Sequence, residues 1–103
     1  MTESMLTARS WGVEQPVLDS LSNLLPEADW HAIAEYMIRR SLEHGARRSE
    51  EMDEAAAMVA EAGIEPLMST ATAKRQAWAA TQADALGGAD LEAVIDSIRK
   101  AST

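Results

Sequence analysis

Glycine and proline cut this chain into short segments, and each segment between them carries apolar residues at spacings of three and four, the period of a helix with one buried face. The breakpoints are Gly12, Pro16, Pro26, Gly45, Gly63, Pro66 and Gly87-Gly88. Met1 to Trp11 reads as a helix stopped by Gly12, which tolerates the left-handed conformation of a helix end. Pro16 suits the first turn of a second helix carrying Val17, Leu18, Leu21, Leu24 and Leu25. A third begins between Pro26 and Asp29 and offers Trp30, Ile33, Ala34, Met37, Ile38 and Leu42 for burial. Its stripe can be drawn on through Gly45 and Arg48 into Met52, Ala55, Ala56 and Val59, but Gly45 favours a break. Beyond Gly63, Pro66 opens a helix with Leu67, Met68, Ala71, Arg75 and Trp78, running to Gly87-Gly88. Asp90 is a good N-cap for the last helix, whose Leu91, Val94, Ile95 and Ile98 form one apolar face. No alternating β-branched run competes, so the expectation is an all-α, compact bundle of about five to six short helices in a single domain spanning 1–103.

Such a domain has little large apolar material to bury. Phenylalanine is absent and alanine abundant, so close helix approach must replace bulky packing. The three tryptophans, Trp11, Trp30 and Trp78, read first as core residues and second as interface candidates, because aromatic side chains concentrate at interface centres. The net charge of −8 disfavours nucleic acid and anionic membrane as partners, and no apolar run reaches the roughly 20 residues of a membrane span. Without a secretory signal pattern the expected location is cytoplasmic. No cysteine is present, so thiolate and disulfide chemistry are out of reach.

Against this acidic background Arg39, Arg40, His44, Arg47 and Arg48 form a basic knot in which Glu43 is the one acidic residue. Arg47 and Arg48 fall at the start of a helical segment, where the macrodipole disfavours cations. Glu50 and Glu51 offset that by ion pairing at three and four positions, and the plain reading is a solvated charged face. In the functional reading Arg48 is the leading anion contact, with Arg47 and His44 beside it, because Arg48 shares the face of Met52 and Val59 and a guanidinium presents a fork of donors. Arg39 and Arg40 lie off that stripe and read as generic charge. His44 near a helix end is most simply a dipole partner, and His31 pairs along its own helix. No His-Glu-x-x-His or similar ligand spacing occurs, so no metal is expected, and no Gly-x-Ser-x-Gly context supports a hydrolase.

The segment Leu6-Thr7-Ala8-Arg9-Ser10-Trp11-Gly12-Val13, the pair Asp29-Trp30, and the later Gly63-Ile64-Glu65-Pro66-Leu67-Met68 together carry a resemblance. In this order and spacing they resemble the C-terminal helical domain of NAD(P)-dependent dehydrogenases of the 6-phosphogluconate and 3-hydroxyisobutyrate dehydrogenase type, in particular the phosphogluconate dehydrogenase C-terminal domain branch. The resemblance covers about residues 4–80, leaving 83–103 as an extra C-terminal helix. It implies a helical substrate-cleft and dimerisation domain of a β-hydroxyacid dehydrogenase-like oxidoreductase, a homodimer, and a nucleotide-binding domain supplied in cis or in trans. NAD or NADP is implied for the complete enzyme. The family's Gly-rich fingerprint and its general acid/base lysine with a neighbouring asparagine are expected upstream of the stretch seen here. Lys74 and Lys100 stand in no such context, so no catalytic residue is assigned and these residues alone are expected to bind no cofactor and to be inactive. Glu50-Glu51 stands where the family has a Lys-Asp pair near the cofactor, a departure that leaves Arg47 or Arg48 to supply the cation. The alternative is a stand-alone homodimeric interaction protein without catalysis.

Overall fold

The computed structural model describes residues 1–102, and all regular structure among them is helical. Five α-helices follow one another as α1 (Thr2–Ser10), α2 (Glu14–Leu21), α3 (Trp30–Glu61), α4 (Leu67–Ala80) and α5 (Leu91–Ser102), with a short 3₁₀ turn, Ala83–Gly87, before the last. Two compact units emerge. The first comprises Met1–Arg39 together with Asp84–Thr103, and the second Arg40–Ala83.

The first unit is built on α5. Leu91, Val94, Ile95 and Ile98 are all buried, as their spacing predicts, and each contributes about 1.5–3 kcal/mol by leaving water. Met5 and Ala8 of α1 are buried with them, and α1 contacts both α5 and α2. Leu18, Ala34, Ile38 and Ala85 complete the core. Caps fix the helix ends. The Asp29 carboxylate accepts from the Ala32 amide at 3.0 Å, and Asp90 accepts from Ala93 at 2.8 Å. Gly12, at φ 69°, closes α1, with the Val13 amide donating to the Ala8 carbonyl and Gly12 to Arg9. The second apolar segment is shorter than its pattern, since α2 ends at Leu21 and Leu24 and Leu25 are exposed.

In the second unit the break anticipated near Gly45 is a kink at His44 (φ −122°, ψ 15°), across which α3 continues. Gly45 itself is where α3 and α4 cross. A Cβ there would lie 2.3 Å from the Gln76 carbonyl oxygen and 2.9 Å from the Ala80 nitrogen, so only glycine permits the approach. That crossing decides which face of α4 turns inward. Ala73 and Ala79 are buried and Ser69, Thr72, Gln76 and Ala80 half-buried, whereas of the expected set Leu67, Met68, Ala71, Arg75 and Trp78 the first three are exposed and the last two half-buried. Small residues win here because large ones would hold the backbones apart. The helix also stops at Ala80 rather than at Gly87-Gly88, because the Thr81 and Gln82 amides turn back to Trp78 and Ala79 and the Thr81 hydroxyl donates to the Trp78 carbonyl at 2.6 Å.

None of the three tryptophans belongs to the buried core. Trp11 is 78% exposed, while Trp30 and Trp78 are half-buried.

In an ordinary helix interior Gly→Ala stabilises by about 1 kcal/mol. At Gly45 the sign reverses: Gly45→Ala should destabilise by about 1–3 kcal/mol through overpacking against α4, while Gly87→Ala, with open space around it, should leave stability nearly unchanged. Urea denaturation of the two variants checks the contrast, and a Gly45→Ala protein as stable as the parent would contradict the crossing.

Candidate functional site

The basic knot separates into residues engaged in the fold and residues facing solvent. Arg39, in the first unit, is a structural clamp. Its guanidinium donates to Glu35 at 2.9 Å, to the Leu86 carbonyl at 3.1 Å and to the Gly88 carbonyl at 2.7 Å, holding the loop that leads into α5. It is therefore no generic charge, and truncating it would disturb the fold rather than report on surface electrostatics. Charge-assisted bonds of this kind contribute about 1.5–3 kcal/mol each when protected from water.

In the second unit Arg40 and His44 both approach Glu43, at 3.9 and 3.4 Å. Arg47 is exposed and pairs along the helix with Glu51 at 3.5 Å, a solvated i,i+4 contact worth a few tenths of a kcal/mol. Both arginines lie within α3 rather than at a free helix start, so the macrodipole penalty anticipated for them does not arise. Arg48 is half-buried on the side of Met52, Ala55, Ala56 and Val59, the inward stripe that the sequence traces. Of the three anion-contact candidates Arg48, Arg47 and His44, it is the one on that stripe.

Two ion-pair systems outside the knot had no local signal in the sequence. Arg9 forks onto Asp96, Nε to Oδ1 at 3.1 Å and Nη2 to Oδ2 at 3.2 Å, and its third nitrogen meets Glu14. The bonds to Asp96 and then Glu14 raise the Arg9 pKa. Asp96 is lowered by Arg9, and Glu14 is lowered by its own backbone amide and then by Arg9. His31, expected to pair along α3, instead meets Glu92 of α5 at 2.8 Å. That hydrogen bond raises its pKa above the ordinary 6.5, against a smaller opposing effect of burial.

His31 and Trp30 also line an open groove of about 210 Å³ at the junction of α2 and α3, together with Gln15, Leu18, Asp19, Ser22, Ala28 and Asp29. Two carboxylates in its wall repel a pyrophosphate, and a dinucleotide site needs a glycine-rich turn between a strand and a helix. No strand occurs among the described residues. Among them no three His, Cys, Asp or Glu side chains group as a metal site, and no helix is long and apolar enough to cross a membrane. The Trp30 indole donates to the Leu25 carbonyl at 3.3 Å, and the Arg75 guanidinium sits 4.8 Å over the Trp78 ring, so both are partly engaged within the chain.

The fold defines an all-helical module with no strand among its described residues. The chain belongs to the family described as Domain of unknown function (DUF1932), which matches residues 8–79 and is a C-terminal domain of NAD(P)-binding β-hydroxyacid dehydrogenase-like proteins. No curated protein and no solved structure matches it.

The His31–Glu92 contact has a pH signature of definite sign. A histidine whose pKa is raised on folding adds stability that is fully present below about 6.5 and is lost as pH rises through the folded value. Both side chains are partly solvated, so the effect is held to about 1 kcal/mol or less. Melting temperature should fall by a few degrees more between pH 6 and pH 8 in the parent than in Glu92→Gln. Parallel curves for the two proteins would remove the pair from the stability account.

Proposed function

We propose that this chain is the helical substrate-cleft and dimerisation domain of an NAD(P)-dependent β-hydroxyacid dehydrogenase-like oxidoreductase, inactive unless a nucleotide-binding domain is joined to it in cis or in trans. The reading is carried by the match of residues 8–79 to a dehydrogenase-associated helical domain, and the all-α fold agrees with it. In an enzyme of this class the cofactor supplies the hydride chemistry, and the protein's part is to hold substrate and nicotinamide together. The groups here suited to that are cations rather than acids or bases. Arg48, half-buried on the inward side of α3, is the proposed contact to a phosphate or carboxylate, with Arg47 and His44 as neighbours. Of the aromatic interface candidates, Trp11 is largely exposed and offers a competing surface in the first unit, and Trp30 and Trp78 keep most of their surface covered within the chain.

Two measurements on the purified chain test this. Calorimetry should detect no NAD or NADP binding tighter than about 1 mM, or about 4 kcal/mol of affinity, and sedimentation at micromolar concentration should show a homodimer. Micromolar binding of either nucleotide would overturn the assignment of cofactor binding to a separate domain. A monomer at every accessible concentration would overturn the dimerisation role.

A further inference from the structure

Around the turn from α3 into α4, the second unit exposes four large apolar side chains in the segment 58–68. Met58 is 71% exposed, Ile64 62%, Leu67 65% and Met68 82%. Their exposure follows from the packing rather than from chance. The Gly45 crossing turns the small-residue face of α4 inward and leaves Leu67 and Met68 outside. Gly63, at φ 82°, ends α3 with the Ile64 amide bonded back to the Val59 carbonyl, which sets Ile64 beyond the helix end.

The corner also differs chemically from the rest of the chain. A quarter of all residues are charged, yet from Ala57 to Ala73 only Glu61 and Glu65 are. Charge depletion and methionine enrichment distinguish interface cores from ordinary surface, and methionine adapts its shape to what it meets. The four residues present about 500 Å² between them, as much as the largest apolar patch on an ordinary monomer, about 300–600 Å². Paired across a two-fold axis, two such patches bury about 1,000 Å² before the exposed Ala62 and Ala71 are added, which reaches the lower size of a specific interface.

We infer that this Met58–Met68 corner is the surface through which a second copy of the chain docks, as a self-complementary two-fold contact. The inference rests on the dimerisation reading above and names its surface. A second copy is the occupant that supplies an uncharged patch of equal area, and the two-fold arrangement closes the contact on itself instead of propagating it.

Sedimentation velocity on the full chain, from one to one hundred micromolar, tests it with four proteins: the parent, Leu67→Glu with Met68→Glu, Leu67→Ala with Met68→Ala, and Trp11→Ala. The parent and Trp11→Ala should be dimers. The glutamate pair should be monomeric, with its dissociation constant raised at least a hundredfold, and the alanine pair weakened at least tenfold, both with unchanged helical circular dichroism. Should the glutamate pair fail to fold, the alanine pair decides. Dimers of parental affinity in both corner variants would overturn the assigned surface while leaving dimerisation in place, and so would dissociation by Trp11→Ala alone. A monomeric parent would overturn the dimerisation reading and this inference with it.

Discussion

The removal of one face of α5 from water is the constraint on which the first unit depends. Leu91, Val94, Ile95 and Ile98 supply four of its largest buried side chains, in a chain with no phenylalanine to replace them. Much of the polar detail nearby serves to hold that helix. Arg9 reaches it from α1 through Asp96, His31 from α3 through Glu92, and Arg39 fixes the Leu86 and Gly88 carbonyls just before it begins. A Cβ at Gly88 would come within 2.8 Å of the Val94 nitrogen, so the loop itself lies tightly on the start of α5. Met5 and α5 both fall outside the matched stretch 8–79, so the core of this unit is completed by residues beyond it.

The second unit answers to a different constraint, the close crossing of α3 and α4 at Gly45. Backbones that approach this closely pack through small side chains, and the inward face of α4 is accordingly alanine, serine and threonine with Gln76 as the one longer residue. The consequence is functional as well as structural. With Leu67 and Met68 turned outward, the unit keeps an apolar corner that its own fold does not cover. The same choice of face that lets the helices meet leaves the chain with a surface suited to association.

Much of the architecture was legible from residue order. Gly12 and Gly63 stop helices because each takes a positive φ, Asp90 caps because a carboxylate can reach an amide three residues on, and the α5 stripe is unambiguous because its apolar residues are large and its other positions polar or small. The Arg47–Glu51 pair was readable for the same reason, being local. The α4 face was misread because periodicity weighs Leu67 and Met68 above alanines, and only the partner helix decides between a large and a small face. Long-range pairs left no trace in local pattern: Arg9 and Asp96 are 87 positions apart, and His31 and Glu92 are 61. Of the candidate site, the sequence located the basic knot and its solvated Arg47 but could not show that Arg39 is bound to backbone carbonyls.

With its apolar face buried against α1, α5 should be the most stable element of its unit. Hydrogen exchange of the full chain, followed amide by amide at neutral pH, measures this directly. The amides of Val94 to Ile98, with those of Met5 and Ala8 where helical bonds protect them, should exchange last in that unit, through its complete unfolding. Rapid exchange across α5 while α1 and the first part of α3 stay protected would show a frayed terminal helix and contradict the account.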